Sequence, residues 1–355
     1  MNNLNADVKK AIKTLLLLAV FVIVVFATNI FVDPANIASD SYAREAAEIV
    51  ASGYNVTNLE NFDDRDFLRC YAPLRSEETD VLVLGSSRSM QVTNALTGFE
   101  NTFCAGVTGA DLRDCIGAYM LFRNNGNIPE KVVFCAEYWF LSQGNMDKRA
   151  LTEEYQQFCR LTGNTAFETS SVEKEKLMEL FSFSYFQSSV EYILSTNKVP
   201  PLAAVESDDN RYPTRRKDGS YSYEETYRNR SIEIVEQDAY DATLYNSLVK
   251  NFTGADAQLQ KQMEDFIKLM QDDGVEVVIQ LAPIHPVFYT HMENNSGYSE
   301  ILATEDYFYS LEDKLGIECY GSYNPEDFDM VSTDFYDAQH PTATGIYKYY
   351  MAERK

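Results

Sequence analysis

Apolar positions near the start of the chain predict a helix that crosses a membrane. Apolar side chains dominate residues 14–32, a cluster of lysines precedes them, and Asp33-Pro34 ends the run. A helix needs about 20 such residues to span a bilayer, and a basic flank favours the cytoplasmic side. A cleaved signal peptide is the alternative, but the run is long for one and no A-x-A-like site follows it. We therefore predict a single uncleaved anchor, with the rest of the chain outside the membrane.

Beyond the anchor, short apolar segments alternate with segments that have helical spacing. The segments with strand character are residues 81–84, 101–104, 131–136, 275–282 and 317–320. Helical spacing marks the segments 42–52, 112–120, 172–183, 259–270, 304–315 and 342–351. Because strands that alternate with helices form parallel sheets, the pattern predicts an α/β three-layer sandwich with about five parallel strands, similar to flavodoxin-like folds.

A long break in this alternation divides the chain into parts. The predicted parts are a cytoplasmic stub with the anchor (1–33), a polar lead-in (34–79), the first part of the α/β domain (80–140), an insertion (141–254) and the second part of the domain (255–355). The insertion is partly helical, and insertions of this kind usually shape access to a site. Its many tyrosines, among them Tyr223 and Tyr227, could stack on sugar rings, although aromatic side chains also fill cores.

Charge and composition argue against several classes of function. The formal net charge of −24 argues against binding to nucleic acid, which depends on Lys and Arg side chains that neutralise phosphates. We also expect no metal ion and no organic cofactor. No C-x-x-C spacing occurs, and the acidic residues near the end of the chain lack a calcium-loop pattern.

Cysteine placement leaves disulfide pairing open. The chain has six cysteines, and disulfides persist in exported domains. However, Cys104, Cys135 and Cys319 lie in or beside predicted strands, where cysteine commonly behaves as a small buried apolar residue.

Two short motifs far apart in the chain carry the candidate chemistry. The first predicted strand runs directly into Gly85-Ser86-Ser87, and Asp337 precedes His340 by three residues before the last predicted helix. A serine hydroxyl becomes a nucleophile when a histidine takes its proton and a carboxylate orients that histidine. If the two motifs meet, Ser87, His340 and Asp337 form a catalytic triad.

These motifs resemble the blocks of the SGNH-hydrolase superfamily, the GDSL-like esterases and acyltransferases. Gly85-Ser86-Ser87 matches the first block and nominates Ser87 as nucleophile, while Asp337 and His340 match the last block. Gly106 matches the glycine of the second block. The resemblance implies that the N–H groups of Ser87 and Gly106 bind the oxyanion. It covers residues 80–135 and 275–350 and excludes the insertion.

The third block departs from the superfamily pattern, because Glu137 stands where an asparagine is usual. An ionised carboxylate cannot donate a hydrogen bond to an oxyanion. Together with the anchor, this departure makes the chain similar to membrane-anchored SGNH proteins of bacterial cell-envelope modification. That group includes relatives of a lipoteichoic acid D-alanyl-transfer protein and of alginate acetyltransferases. Its members often act with membrane-bound O-acyltransferases, which the resemblance implies as a partner.

Three more residues are candidates for substrate binding. Arg88 follows the nucleophile, Glu137 follows the third predicted strand, and His285 follows the fourth, so all three are expected near the carboxyl edge of the sheet. Each also has a structural alternative: a salt bridge for Arg88, a structural role for Glu137 and a hydrogen-bonded loop position for His285.

The expected function is an extracytoplasmic serine acyltransferase or esterase, anchored in the cell membrane. Its substrate would be the O-acyl groups, most simply acetyl groups, of a cell-envelope polysaccharide. Two alternatives stay open: a D-alanyl-transfer protein for teichoic acid, and a non-catalytic envelope scaffold that binds polysaccharide or a membrane O-acyltransferase.

Overall fold

The computed structural model describes residues 6–147, 150–167, 172–196 and 198–350. The helices are α1 (Ala6–Val32), α2 (Ser41–Ala51), α3 (Asp64–Tyr71), α4 (Asn94–Thr97), α5 (Leu112–Asn124), α6 (Thr152–Thr162), α7 (Val172–Leu180), α8 (Phe183–Leu194), α9 (Glu225–Arg228), α10 (Ile232–Tyr245), α11 (Ser247–Lys250), α12 (Ala257–Asp272), α13 (Pro286–Glu293), α14 (Ser299–Leu315) and α15 (Ala343–Tyr350). The strands are β1 (Asn55–Thr57), β2 (Val81–Leu84), β3 (Thr102–Cys104), β4 (Lys131–Ala136), β5 (Ala203–Val205), β6 (Thr214–Arg215), β7 (Tyr221–Ser222), β8 (Glu276–Leu281) and β9 (Glu318–Gly321). They fall into two compact units, one with α1, α7 and α8 and the other with both sheets.

A parallel sheet of five strands forms the centre of the larger unit, in the order β3-β2-β4-β8-β9. This confirms the prediction of an α/β fold with five parallel strands. If these five strands are renumbered 1 to 5 along the chain, their order across the sheet is 2-1-3-4-5. The direction of the strand order therefore reverses between β2 and β4. In open α/β sheets ligands bind beyond the carboxyl ends of the strands at such a reversal.

Helices lie on both faces of this sheet. Val83 and Val133 share a core with Ile346 of α15 on one face, whereas Phe134 packs edge-on against Phe266 of α12 on the other. All four residues of β2 are completely buried, and burial of each such apolar side chain contributes roughly 1.5–3 kcal/mol. The sheet edge that carries the candidate motifs therefore rests on a packed core.

A second, antiparallel sheet was not predicted. Its strand order is β5-β1-β6-β7, and it joins β1 of the lead-in to three short strands of the insertion. Gly219 lies in the turn between β6 and β7 with a φ of +75°, and a Cβ there would come within 2.5 Å of the Cys104 carbonyl oxygen. The turn thus brings the insertion against the end of β3.

Helix ends differ from the predictions at several places, and α5 extends four residues past the predicted 112–120. The helix predicted over 172–183 ends at Leu180. Helix α8, which was not predicted, follows from Phe183, and Ser182 caps it by accepting a hydrogen bond from the Tyr185 N–H at 3.2 Å. Helix α14 begins at Ser299, five residues before the predicted 304–315. The last helix ends at Tyr350, and the predicted final residue, Met351, lies outside the described residues.

The smaller unit contains the apolar helix expected at the start. Residues Val8–Val32 of α1 are long and apolar enough to cross a membrane, and an 18-residue window within them has a mean hydropathy of 2.9. Most of their side chains are exposed, as with Leu16 at 62% and Phe31 at 88%. The helix is therefore not the core of a soluble unit.

Five of the six cysteines lie in the interior of the larger unit, and Cys70 is half-buried. Cys104, Cys135 and Cys319 are buried free thiols, as are Cys115 and Cys159. Burial raises the pKa of Cys104 to about 11 and that of Cys319 to about 12. These thiols act as small apolar groups in the core, as the strand positions of the first three indicated.

Candidate active site

The serine motif forms a tight turn at the end of β2. The Ser89 N–H donates to the Ser86 carbonyl at 3.0 Å, and the Met90 N–H donates to the Ser87 carbonyl at 3.3 Å. The hydroxyl of Tyr223, from the insertion, donates to the same Ser87 carbonyl at 3.1 Å. These bonds fix the backbone of Ser87, whose side chain stays partly exposed at the carboxyl edge of the sheet.

The two distant motifs meet at this turn. Ser87 Oγ lies 2.8 Å from Nε2 of His340, and Nδ1 of His340 lies 2.9 Å and 3.0 Å from the two carboxylate oxygens of Asp337. Because Nδ1 faces a carboxylate, the tautomer with its proton on Nδ1 leaves Nε2 free to accept the serine proton. The arrangement can therefore perform base-assisted attack by a serine.

Asp337 is held in its ionised form. Burial opposes ionisation, but His340, its hydrogen bond, the Tyr227 hydroxyl and the Gln339 N–H outweigh burial, so the pKa of Asp337 lies well below its ordinary value. The backbone N–H groups of Gln339 and His340 both donate to Oδ1 at 2.8 Å. The carboxylate can thus orient the histidine and stabilise its protonated form.

Tyr227 of the insertion extends the triad. Its hydroxyl donates to Oδ2 of Asp337 at 2.6 Å. Burial and the neighbouring carboxylate raise the pKa of Tyr227, so the phenol keeps its proton and acts as a donor. Tyr223 and Tyr227 were noted in the sequence only as members of a tyrosine-rich insertion, and their spacing gave no sign of these contacts.

Gly106 brings the loop after β3 against the serine turn. A Cβ at this position would lie 2.9 Å from Ser89 Oγ and 3.0 Å from Met90 Cγ, so a larger residue would force the two segments apart. Among the described residues, no backbone group accepts a hydrogen bond from the Ser87 N–H, whereas the Gly106 backbone hydrogen-bonds to the buried Cys104 thiol. The sequence resemblance implies that both N–H groups bind an oxyanion.

A buried arginine of the insertion supports the Gly106 loop. Arg215 is fully buried and donates to the carbonyl oxygens of Cys104 at 3.3 Å and Gly106 at 3.4 Å. It also pairs with Asp64 of α3 at 2.8 Å, and Asp64 accepts the Thr108 N–H at 2.9 Å. The lead-in and the insertion therefore fix the loop together. Neither Asp64 nor Arg215 was among the predicted site residues.

Arg88 and Glu137 lie beneath the site, where they contact each other. The ion pair spans 2.6 Å, and each side chain is 1% exposed. Glu137 also accepts the Ser86 hydroxyl at 2.7 Å. Burial raises the pKa of Glu137, while Arg88 and the hydrogen bonds from Ser86 and Arg88 offset part of that effect. The geometry favours the structural alternative for both residues over substrate binding, because their charged groups are already partnered.

Arg88 links several chain segments at the sheet edge. Its guanidinium donates to the carbonyl oxygens of Ala282 at 2.6 Å and Pro283 at 2.7 Å, just after β8. It also donates at 3.0 Å to the carbonyl of Gln339, the neighbour of His340. One side chain next to the nucleophile thus joins the ends of β4 and β8 to the histidine loop.

His285 does not reach the serine in this structure. It is completely buried, its Nδ1 accepts the Val287 N–H at 3.2 Å as the N-cap of α13, and its ring faces Phe335. Burial lowers the pKa of His285 to about 4, so the imidazole is neutral. The Nδ1 contact gives His285 a structural role as a helix cap, whereas its buried Nε2 has no hydrogen-bond partner among the described residues.

No family model, curated protein or solved structure matches this chain.

Proposed function

We propose that the chain is a serine acyltransferase or esterase of the SGNH type. The observation that carries the proposal is the unbroken contact series from Ser87 Oγ through His340 to Asp337, at 2.8 Å and 2.9 Å. Its position at the reversal of strand order, where α/β proteins bind ligands, supports the same assignment. The sequence resemblance supplies the reaction class.

In the first half of the reaction, Ser87 Oγ attacks the carbonyl carbon of an ester as its proton passes to Nε2 of His340. The new C–O bond leaves a negative charge on the carbonyl oxygen, and on the sequence resemblance we assign its binding to the N–H groups of Ser87 and Gly106. Collapse breaks the ester bond, and the departing alcohol takes the proton from His340. The acyl group remains on Ser87.

In the second half, an acceptor hydroxyl gives its proton to His340 and attacks the acyl-serine carbonyl. Breakage of the Ser87 ester returns the proton to Oγ. Water as acceptor makes the protein an esterase, and a sugar hydroxyl makes it a transferase. No step requires a group beyond the residues of the chain and the two reactants.

The environment of Glu137 weakens the case for a non-catalytic scaffold. That alternative depended on a carboxylate in place of an oxyanion donor. Glu137 is instead paired with Arg88 at 2.6 Å and 1% exposed, so its charge is compensated by a partner and turned away from solvent.

The proposed setting is the outer side of a bacterial cell membrane. Helix α1 is long and apolar enough for an anchor, and the lysines in its first turns favour a cytoplasmic amino terminus. We propose O-acetyl groups of an envelope polysaccharide as substrate and a membrane O-acyltransferase as partner. Both proposals rest on the sequence resemblance.

A transfer assay tests this function. The full-length protein in detergent is given an activated acetyl ester with or without an acetylatable polysaccharide. We expect ester cleavage that is lost in Ser87→Ala and faster when the polysaccharide is added, with acetyl groups recovered on the sugar. The Tyr240→Phe variant, altered at an exposed position of the insertion (56%), should retain full activity. Equal cleavage by wild type and Ser87→Ala would refute the proposed chemistry.

A further inference from the structure

Helices α7 and α8 form a hairpin, residues 172–194, that packs beside the last turns of α1. The Asn29 side chain of α1 is completely buried. It donates to the carbonyl oxygens of Leu180 at 2.9 Å and Ser182 at 3.0 Å, and it accepts the Ser189 hydroxyl at 3.1 Å. The hairpin therefore satisfies a polar side chain inside the apolar run of α1.

Aromatic contacts continue along the apolar run. Phe181 stacks on Phe26 with 4.2 Å between ring centroids, and Phe183 lies 6.0 Å from Phe21. With a helical rise of about 1.5 Å per residue, Phe26 and Phe21 lie about 9 Å and about 16 Å before Val32, the end of the run. If α1 spans a bilayer, the Phe181 and Phe183 rings lie at the depth of lipid hydrocarbon.

Helix α8 has three distinct sides. The side against α1 carries Tyr185 and Ser189, which are buried. A second side is polar and exposed, with Ser184, Gln187, Ser188 and Glu191. The third side is an apolar stripe of Phe183, Phe186, Val190, Ile193 and Leu194. These positions recur at the three- and four-residue spacing of one helix face.

The apolar stripe is open to the surroundings. Phe183 and Ile193 are each 52% exposed and Leu194 is 74% exposed, and Leu177, Met178 and Phe181 before α8 are also exposed. Single exposed apolar residues are ordinary, but a continuous apolar face marks an interaction surface. The stripe contains no charged residue and is continuous with the apolar surface of α1.

We propose that the α7–α8 hairpin lies in the membrane interface, with its apolar stripe buried in the lipid at the carboxyl end of α1. The inference rests on the proposed anchor and adds a second lipid-binding element to it. Interfacial helices bury an apolar face about 5–10 Å into the headgroup and acyl boundary. Phe181 lies at a similar depth, and Phe183, at the first residue of the stripe, reaches deeper beside Phe21. The basic residues of the hairpin, Lys174 and Lys176, lie in α7, and α8 has none, so the binding of α8 through its stripe depends on apolar contact and not on anionic headgroups.

Depth-dependent fluorescence quenching tests this inference. The full-length protein is reconstituted in phosphatidylcholine vesicles whose acyl chains carry bromine, and single residues are replaced by tryptophan. Ile193→Trp reports on the stripe, Gln187→Trp on the polar side of the same helix, and Leu18→Trp on the anchor. The buried native Trp139 is kept, and its signal is subtracted.

We expect bromine to quench Ile193→Trp and Leu18→Trp about twofold or more relative to Gln187→Trp, as for an apolar face immersed in lipid. Phosphatidylglycerol should not be needed. If Leu18→Trp is quenched but Ile193→Trp and Gln187→Trp give equal signals, the hairpin inference is refuted and the anchor is retained. In that case the stripe would be a surface for a protein partner and not for lipid. Absence of quenching at Leu18→Trp would refute both the anchor and the hairpin. Quenching of Ile193→Trp that appears only with phosphatidylglycerol would contradict the apolar mode of binding.

Discussion

Ser86 and Ser87 are neighbours in the chain, but their hydroxyl groups have different partners. Ser87 Oγ lies 2.8 Å from His340 Nε2, whereas Ser86 Oγ donates to Glu137 at 2.7 Å. Ser86 is also buried, with 1% exposure. Of the two serines, Ser87 has both a histidine base within hydrogen-bond distance and a side chain that a substrate can reach. These contacts identify Ser87, and not Ser86, as the nucleophile.

Tyr227 should act as a positioning residue for the triad. Tyr227→Phe removes the donor that lies 2.6 Å from Asp337 Oδ2. A hydrogen bond to a charged group contributes roughly 1.5–3 kcal/mol, so we expect kcat to fall about tenfold or more. KM should stay close to the wild-type value, because Tyr227 contacts Asp337 and not the substrate, whereas loss of the same hydrogen bond should lower the unfolding temperature by a few degrees.

Ester cleavage by purified Tyr227→Phe and by Tyr240→Phe as control measures this effect. A positioning role also predicts that the acid limb in the pH profile of kcat moves to higher pH in Tyr227→Phe, because loss of this donor raises the pKa of Asp337 towards its ordinary value. Unchanged kcat and an unchanged pH profile would exclude the role.

Arg88 and Glu137 should depend on each other for stability. Glu137→Leu leaves the Arg88 charge buried without its partner, and removal of one partner of a buried pair costs about 3–5 kcal/mol. The double variant Arg88→Met with Glu137→Leu should be less destabilised than the sum of the two single variants. Urea unfolding of all four proteins gives the coupling free energy, and additive losses would contradict the pairing.

Helix α13 is capped by His285, whose imidazole is neutral in the folded protein. Burial lowers the pKa of His285 from 6.5 to about 4. Below pH 6.5 the unfolded chain binds a proton at His285 that the folded chain does not bind, so stability falls as pH falls from 6.5 towards 4. The contribution lost over this window is on the order of 3 kcal/mol.

His285→Asn tests that pH dependence. Asparagine also caps helices well, so the variant should keep α13 while losing the titrating group. We expect its free energy of unfolding to change less between pH 6.5 and pH 4 than that of the wild type, as measured by urea unfolding at each pH. Parallel pH dependences for the two proteins would contradict a neutral buried His285.

The elements of the central sheet were predictable because each has a local signal. Runs such as Val81–Leu84 are apolar at every position, as strands buried on both faces must be, and β2 and β4 begin and end at the predicted residues. Strands β6 and β7 have two residues each, too few for any periodicity. The break between α7 and α8 depends on a single cap, Ser182, which the helical spacing does not reveal.

Across the whole molecule, the site combines residues from segments that the sequence does not connect. The motifs around Ser87 and His340 were recognisable because each keeps a local order of residue types. Arg215 and Asp64 lie 151 positions apart, and Tyr227 and Asp337 lie 110 apart. Such pairings come from tertiary packing of the lead-in and the insertion on the sheet edge, and no local sequence pattern predicts them.

The assignment of Ser87 as a triad nucleophile is tested most directly by covalent labelling of the full-length protein. A fluorophosphonate probe reacts with activated serines, and peptide mass spectrometry locates the adduct. We predict an adduct on Ser87 that is absent in Ser87→Ala and forms roughly a thousandfold more slowly in His340→Gln, because the serine loses its base. Undiminished labelling of Ser87→Ala, or an adduct on a different serine in the wild type, would contradict the assignment.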